Sequence, residues 1–473
     1  MRKIKILPIL LTATMSLAWS GCDKFLEEKS QDLFIPRTVE DYKEFLAGEG
    51  LNLGPSNTVS ISEYLDLLTD DVSEIVNVRR RDNADSREPL WGYYTWQAEP
   101  EIDFNNTLQA DKSWEVYYHR ILIANVVLDK LNEMSGEERM KKDLEGEARF
   151  LRAWSYFMLV NTYAEPYEDE TQAKATPSVP INDATGVLNR QLPKAPLSAV
   201  YQRMVVDLET AIKVFQESGL DKSIHRPGLD AAMLLRARVA LYQKDYDQAR
   251  QWADKVIASK RQKLYDLTQW DAKAKDRFFD SPNTELIFTY SSRYALEQHI
   301  KASNIEKGCF VVSPDLLKMY GADDVRLTAF YYKQLNKTKP YKYNRNASKQ
   351  VFPYAFHLSE AYLIRAESCV ELGQVEQALT DLNTLRRHRI RNHVDLTAST
   401  AEDVRQLVRN ERRMELSFEG HRWFDLRRWG RPALTHRYSS NTNSAEFVDY
   451  NLQERDPRYT LPIPRTEQQH SNF

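Results

Sequence analysis

The chain has 473 residues, of which 42% are apolar and 28% are charged, so it is long enough to bury a substantial core. Lys and Arg number 65 against 68 Asp and Glu, which leaves a formal charge of -3. A nucleic-acid binder needs an excess of clustered cations, so this balance argues against that class.

The N-terminal segment, residues 1–21, has the pattern of a bacterial secretion signal. Three basic residues precede an apolar stretch over residues 6–19, and two small residues come directly before Cys22. We expect residues 1–21 to be removed and the Cys22 thiol to be acylated, which would tether the mature chain to a membrane. The usual lipobox has Leu three places before the cysteine, where this chain has Trp19. A plain signal peptide with an incidental cysteine is the alternative.

Most of the mature chain has the 3.6-residue periodicity of amphipathic helices. The clearest helices are predicted over residues 113–133, 144–163 and 199–215. Residues 165–197 lack a period and predict a long ordered loop. Strand signals are few: residues 286–290 are the best candidate, with residues 309–312 as a possible partner. The pattern therefore predicts a mostly α fold with long loops and few short strands.

Two segments, near residues 230–258 and 358–388, resemble tetratricopeptide helix pairs. Small and aromatic residues recur in them at matching offsets, with Ala249 in the first corresponding to Ala378 in the second. The two segments are far apart in the chain, whereas a solenoid needs adjacent repeats to cover its faces. We therefore expect both pairs to pack inside one larger helical domain.

Catalytic motifs are weak throughout the sequence. His388 and His393 are five positions apart, which places them on different faces of a helix and does not suit zinc. The adjacent acids Asp70 and Asp71 could serve glycoside hydrolysis, but caps or solvated charges are the commoner explanation. We therefore predict no catalytic residue, no metal site and no cofactor.

A charged block lies near the C-terminus. Its predicted network consists of Glu419, Arg422, Asp425 and Arg428. Because these residues are three apart, they would form a ladder of ion pairs along one stripe of a helix. Large aromatic residues intervene and must face a core, so we predict a semi-buried structural network; a polar ligand site is the alternative.

Aromatic residues beside polar ones indicate candidate ligand-binding loops. Flat rings suit the apolar faces of sugars, while amides, carboxylates and guanidinium groups orient the hydroxyls. Residues 79–106 fit best, followed by residues 290–299 and 331–343. The candidate binding residues are Arg81, Trp91, Tyr94, Trp96, Asn105, Tyr294, Tyr341 and Tyr343. For each ring, burial beneath the loop is the alternative to exposure.

Four segments make the chain resemble the SusD/RagB lipoproteins of Bacteroidetes. In the family's order they read LEGEARFLRAWSYFMLVNTYAEPY, AYLIRAESCVELGQVEQALTDLNTLRRHR, NERRMELSFEGHRWFDLRRWG and YTLPIPRTE. The likeness extends from Cys22 nearly to the end, and the family block over residues 402–465 is specific. Only the tail from residue 468 departs from the family pattern. Acidic residues soon after Cys22 resemble a surface-export signal.

The resemblance implies a SusD-like helical fold with tetratricopeptide-like helix pairs, in a single domain over residues 22–473. It also implies a non-catalytic lipoprotein, exposed at the cell surface and anchored to the outer membrane by its lipid. Its ligand would be an oligosaccharide or polysaccharide, and its partner a SusC-like TonB-dependent transporter on which it acts as lid and capture subunit. A lid for a non-sugar nutrient such as peptide is the first alternative, and a surface glycoside hydrolase the second.

Overall fold

The structure is a computed structural model, and residues 38–473 form one compact unit in it. It describes residues 36–51, 61–76, 85–186, 191–271, 277–279, 283–290, 300, 308–334, 337–342, 354–439 and 447–470. Four candidate residues, namely Cys22, Arg81, Tyr294 and Tyr343, lie outside the described residues.

Helices dominate the described chain. They are α1 (Val39–Phe45), α2 (Trp91–Tyr94), α3 (Ser113–Lys130), α4 (Glu138–Tyr163), α5 (Glu170–Ala175), α6 (Leu197–Ser218), α7 (Leu229–Tyr242), α8 (Tyr246–Ser259), α9 (Pro314–Leu317), α10 (Arg326–Ala329), α11 (Leu358–Glu371), α12 (Val375–Arg387), α13 (Ala401–Glu415), α14 (Arg422–Arg428) and α15 (Arg465–His470). Short 3-10 turns cover Glu63–Leu65, Glu88–Leu90, Leu267–Gln269 and Pro457–Tyr459, and a π-helical turn covers Leu46–Leu51. The prediction of a mostly α fold is confirmed.

Local sequence explains where several helices begin and end. Thr38 and Asp41 form a reciprocal capping box at the start of α1. The Thr400 side chain accepts a hydrogen bond from the Asp403 amide at the start of α13. Helix α6 ends at Gly219, whose φ of 62° is the left-handed conformation that glycine adopts at low cost.

The long helices pack in sequence against one another. Helix α4 lies between α3 and α6, α6 contacts α7, and α7 forms an antiparallel pair with α8. Helix α11 packs against both α8 and α12, and it also contacts α13. The two tetratricopeptide-like pairs are therefore neighbours in space, although they are far apart in the chain. This contact gives each pair the covered face that an isolated pair would lack.

The described strands are short and pair two by two. They are β1 (Val72–Val76), β2 (Leu286–Tyr290), β3 (Gly308–Val312), β4 (Tyr331–Gln334), β5 (Lys337–Pro340), β6 (Tyr354–His357), β7 (Leu434–Tyr438) and β8 (Val448–Leu452). The antiparallel pairs are β1 with β3, β2 with β6, β4 with β5, and β7 with β8.

Two local predictions are corrected by the structure. Strand β2 is present over residues 286–290, but it pairs with β6, and the predicted partner strand β3 pairs instead with β1. Local sequence carries no information on the partner, because β1 and β3 are distant in the chain and meet only through the tertiary fold. Residues 165–197 are not entirely loop, since they include the short helix α5, capped by Asp169.

Candidate functional site

The predicted ligand loop folds closely around the short helix α2. A Cβ atom at Gly92 would lie only 2.5 Å from the Pro100 carbonyl oxygen and 2.6 Å from that of Ile102. The Phe104 amide also donates to the Glu88 carbonyl at 3.2 Å. Glycine at position 92 therefore lets residues 99–104 lie directly against α2.

Tyr94 and Trp96 face the interior and not the solvent. Each has 2% of its surface exposed, and their rings lie on the two sides of His436 at centroid distances of 4.2 and 4.1 Å. Trp96 Nε1 donates to the Leu68 carbonyl at 3.0 Å. The prediction that these two rings form an exposed platform is wrong, because packing against the β7 histidine already uses their faces.

A different set of rings reaches the surface beside the same loop. We call Trp91, Phe104 and Tyr450 the hairpin surface, because these rings pack at the inner face of the β7–β8 hairpin, where Phe104 also lies 5.7 Å from Tyr438. Phe104 is 40% exposed, whereas Trp91 and Tyr450 are half-buried. The Trp91 ring meets Phe104 edge to face at 5.7 Å and Tyr450 at 6.2 Å. Trp91 thus supports the exposed Phe104 ring more than it presents a face of its own.

Polar groups accompany exposed rings on both faces of the hairpin. Beside Phe104, the Asn105 side chain is exposed and donates to Glu88 at 3.2 Å. On the opposite face of the hairpin, the Arg437 guanidinium lies 4.2 Å from the centroid of the 40% exposed Phe447 ring and 3.7 Å from Asp449. On that face Thr435 also donates to the Asn451 side chain at 2.7 Å. Exposed rings bordered by polar groups are suited to a ligand with both apolar faces and hydroxyls.

A second aromatic surface lies on the β4–β5 hairpin, and we call it the tyrosine pair. Tyr332, which is 42% exposed, lies 5.6 Å from the half-buried Tyr341. The Arg277 guanidinium covers the Tyr341 ring at 4.1 Å, and Lys339 Nζ lies 5.5 Å from the same ring. Burial lowers the pKa of Lys339. Of the two candidate binding residues in this range, Tyr341 and Tyr343, only Tyr341 is among the described residues.

The two aromatic surfaces are linked by short strands. Strand β7 contacts β1, which pairs with β3, and β3 contacts β5 of the tyrosine pair. Residues from three distant parts of the chain are therefore brought to one connected group of strands.

The C-terminal charged block forms a buried to half-buried network with a different pattern from the predicted ladder. Glu419 accepts from Lys342 at 2.6 Å and lies 2.9 Å from His357 Nε2, while Arg422 donates twice to Asp70 at 2.9 Å. The ladder prediction is therefore wrong for these two residues. Helix α14 begins only at Arg422, and Gly420 before it has φ of 74°, so helical spacing does not apply to Glu419.

The second half of that block follows the prediction. Arg428 donates to Asp425 at 2.9 Å within α14, and Asp425 also accepts from Arg412 at 2.8 Å. Arg428 additionally donates to Glu367 of α11 at 2.7 Å. These contacts tie the last helices to the tetratricopeptide-like pair.

The described ranges contain no group of three or more His, Cys, Asp and Glu side chains arranged to hold a metal ion. No described helix combines the length and apolar character needed to cross a bilayer.

Two sequence models of known families match the chain. The model of the SusD family matches residues 307–472, and the model described as "Starch-binding associating with outer membrane" matches residues 24–241. Together they account for most of the chain, including the C-terminal block. The chain belongs to the SusD family.

Curated relatives agree with this assignment, and solved structures share the fold. SusD-like protein P25 of Formosa agariphila is 23% identical over 90% of each chain, and SusD-like protein P2 of the same organism is 23% identical over 67% of this chain and 70% of its own. A SusD superfamily protein from Bacteroides thetaiotaomicron has a TM-score of 0.72 at 20% identity, covering 92% of this chain and 98% of its own. A SusD-like carbohydrate binding protein from Bacteroides vulgatus has a TM-score of 0.67 at 18% identity, covering 92% and 97%. These structures show that the SusD fold is shared.

Sequence reasoning missed three rings, namely Phe104 and Tyr450 of the hairpin surface and Phe447 on the opposite face of the hairpin. A usable signal was present, because residues 434–438 and 448–452 flank a run rich in Asn and Ser, as expected for a hairpin with a long polar loop. The proximity of Tyr450 to Trp91 had no local signal, because this contact joins an N-terminal segment of the chain to a C-terminal one.

Proposed function

We propose that this chain is a non-catalytic glycan-binding protein of the cell surface, which captures oligosaccharides for a SusC-like TonB-dependent transporter. The observation that carries the proposal is the hairpin surface, where Phe104 exposes an aromatic face beside the exposed amide of Asn105. Such rings remove water from the C–H faces of a sugar, while the polar groups orient its hydroxyls.

The affinity of this surface for a free oligosaccharide should be low. Each aromatic contact contributes on the order of 1 kcal/mol beyond area burial. A few such contacts and hydrogen bonds supply roughly 4–8 kcal/mol, which corresponds to a Kd in about the micromolar to millimolar range. Many tethered copies on one polymer would gain apparent affinity through effective concentration.

The cellular setting of the proposal rests on the family. The SusD-like protein from Bacteroides vulgatus is described as carbohydrate binding, and one matching family model is described as associating with the outer membrane. A lipid on Cys22, a single domain over residues 22–473, a position as lid and the SusC-like partner are parts of the same proposal.

Calorimetry with a panel of oligosaccharides tests the binding surface. Phe104→Ala and Trp91→Ala should each weaken binding of the recognised glycan at least a few-fold, because one removes an exposed ring and the other its support. Tyr332→Ala tests the tyrosine pair in the same way. Trp252→Ala is the matched control, since Trp252 is also half-buried but lies on helix α8.

Each outcome separates the alternatives. If a glycan binds and none of the three variants loses affinity while remaining folded, the aromatic surfaces are not the site. Binding of peptides in place of every glycan would favour the non-sugar lid. Release of reducing ends on incubation with oligosaccharides would contradict the non-catalytic role.

A further inference from the structure

A cavity of about 40 Å³, partly open to solvent, is lined mainly by residues of the long helices and by none of the residues of the two aromatic surfaces. Helices α3, α4 and α7 contribute to its wall, together with residues 61–65 and 419–424. Much of the lining is apolar, including Trp154, Phe157 and Phe424. Charges inside such a wall are poorly screened, so any ion there must be neutralised locally.

Arg120 of α3 lines this cavity, and none of the described residues neutralises it. Its residue surface is 6% exposed, and no described residue accepts a hydrogen bond or forms an ion pair with its guanidinium. The nearest interacting group is the neutral Tyr117 ring, 5.8 Å away. Burial lowers the pKa of Arg120, but an arginine keeps its charge at neutral pH.

Asp66, next to the lining residues Leu65 and Gly420, accepts from the Gly420 amide at 3.4 Å, and burial raises its pKa to about 7, whereas Glu419 and Glu360 are paired with cations. Glu419 is held by Lys342 and His357, as described above. The second arginine of the wall, Arg238, donates two hydrogen bonds of 2.6 Å to Glu360. Arg120 is therefore the cation of the cavity wall that the described acids leave uncompensated.

His421 adds a neutral donor to the same wall. Its Nδ1 lies 3.4 Å from Arg412 Nη2, and because that nitrogen can only donate, Nδ1 accepts and the ring proton is assigned to Nε2. No described residue takes up Nε2. Burial, followed by Arg238 and Arg412, moves the pKa of His421 well below its usual value. Burial thus keeps the His421 ring neutral, and the neighbouring cations add to this effect.

A hydroxyl pair completes the polar part of the wall. Ser62 Oγ and Tyr117 OH lie 3.2 Å apart, so one of the two hydroxyl protons bonds the other oxygen and the second stays available. The cavity therefore offers a guanidinium, an imidazole N–H and a hydroxyl to one small volume.

We propose that this cavity binds one small monovalent anion, such as a halide or a formate-sized carboxylate, between Arg120 and His421. One negative charge neutralises the single uncompensated guanidinium, and the available N–H and O–H groups complete its coordination. The volume corresponds to roughly three water molecules at most, which admits such an ion and excludes a sugar. This anion site is independent of the proposed glycan surface.

Thermal unfolding at constant pH and ionic strength tests the proposal. The starting buffer contains gluconate, which is too large for the cavity, and chloride, bromide or formate replaces it stepwise. We expect a saturable rise in Tm, of about 1–2 °C at ten times the dissociation constant, because the anion binds only the folded chain. The three anions distinguish a halide site from a carboxylate site. Arg120→Met should abolish the rise, and Arg120→Lys should retain part of it.

The matched control is Arg152→Met on α4, where the buried arginine is paired with Asp207. It should lower Tm but keep the anion-dependent rise. If Arg120→Met does not fold, the decisive measurement is anomalous diffraction from bromide-soaked crystals of the unaltered protein. A bromide peak, or formate density, within the cavity supports the site. Absence of both, with a Tm that gluconate replacement does not change, would mean that water fills the cavity and would overturn the proposal.

Discussion

Trp96 has a backbone conformation that residues with a side chain rarely adopt, with φ of 50°. Its indole donates to the Leu68 carbonyl and stacks on His436, and these contacts offset the backbone strain. Trp96 is therefore a packing residue of the loop. Its replacement would report on folding before it reported on any ligand.

Glu367 is a buried carboxylate whose pKa depends on its hydrogen-bond and ion-pair partners. Burial alone would raise the pKa of Glu367, but Arg428 and the Trp429 indole N–H, which lies 2.8 Å away, lower it to about 2. A carboxyl group whose pKa is lower in the folded chain stabilises the fold above its unfolded pKa of 4.5. That contribution is lost as the pH falls through about 2.

We predict that Glu367→Gln makes the free energy of unfolding less dependent on pH between pH 5 and pH 2. The unaltered chain should lose about 3 kcal/mol from this group between pH 5 and pH 2, and the variant should lack that loss. Denaturant unfolding across this pH range is the measurement. Glu133→Gln, which changes an exposed carboxylate, is the control and should leave the profile unchanged. An unaltered acid slope in Glu367→Gln would contradict the assigned ion pair.

Arg422→Ala tests the structural role of the charged block. Arg422 is 12% exposed and its partner Asp70 is 31% exposed, so the pair is neither dry nor fully solvated. We expect a loss of about 1–3 kcal/mol in the free energy of unfolding, between the values for exposed and buried pairs. The exposed Arg437→Ala should cost much less. Lost ligand binding at an unchanged Tm would instead indicate that Arg422 belongs to a ligand site.

At the scale of elements, the loop over residues 99–108 depends on its contact with α2. The backbone carbonyls of Pro100 and Ile102 occupy the space that a side chain at position 92 would need. Because backbone atoms cannot rotate away, even one methyl group must displace the loop. The loop carries Phe104, so its position controls the exposed part of the hairpin surface.

We predict that Gly92→Ala destabilises the chain by about 1–3 kcal/mol through overpacking and weakens glycan binding by moving Phe104. Thermal unfolding and calorimetry would measure the two effects. Gly321→Ala is the control, because nothing lies within 4 Å of a Cβ atom at Gly321. Unchanged stability and affinity in Gly92→Ala would show that the loop adjusts without cost.

At the scale of the whole molecule, the proposed anchor and the folded unit are distinct parts of the chain. Cys22 precedes the compact unit that begins at residue 38. Replacement of Cys22 should therefore change where the protein is found but not how it folds.

We predict that Cys22→Ala is released or mislocalised while keeping the Tm of the unaltered protein. Several acyl chains hold a lipoprotein stably on a membrane, and the variant lacks the thiol that starts their attachment. Cell fractionation and surface labelling measure the outcome, with Cys369→Ala, which removes a buried free thiol, as the control. Recovery of Cys22→Ala in the outer-membrane fraction with normal surface labelling would refute the anchor.

Periodicity and motifs in the sequence were sufficient for the helical class, the main helices and the family. These features depend on neighbours within a few turns, and the apolar spacing in α4, for example, identifies a helix without knowledge of its partners. The same spacing located both tetratricopeptide-like pairs and the pairing of Asp425 with Arg428 inside α14.

Only the tertiary structure decided which residues meet across long stretches of chain. It buried Trp96 against His436, exposed Phe104 beside the β7–β8 hairpin, and paired Arg422 with Asp70. The Trp96–His436 and Arg422–Asp70 contacts each join an N-terminal segment to a C-terminal one. The exposure of Phe104 depends on how far the C-terminal hairpin covers its ring. Local sequence specifies that a ring or charge is present. Whether it faces solvent, a core or a partner depends on the free energy of packing the whole chain.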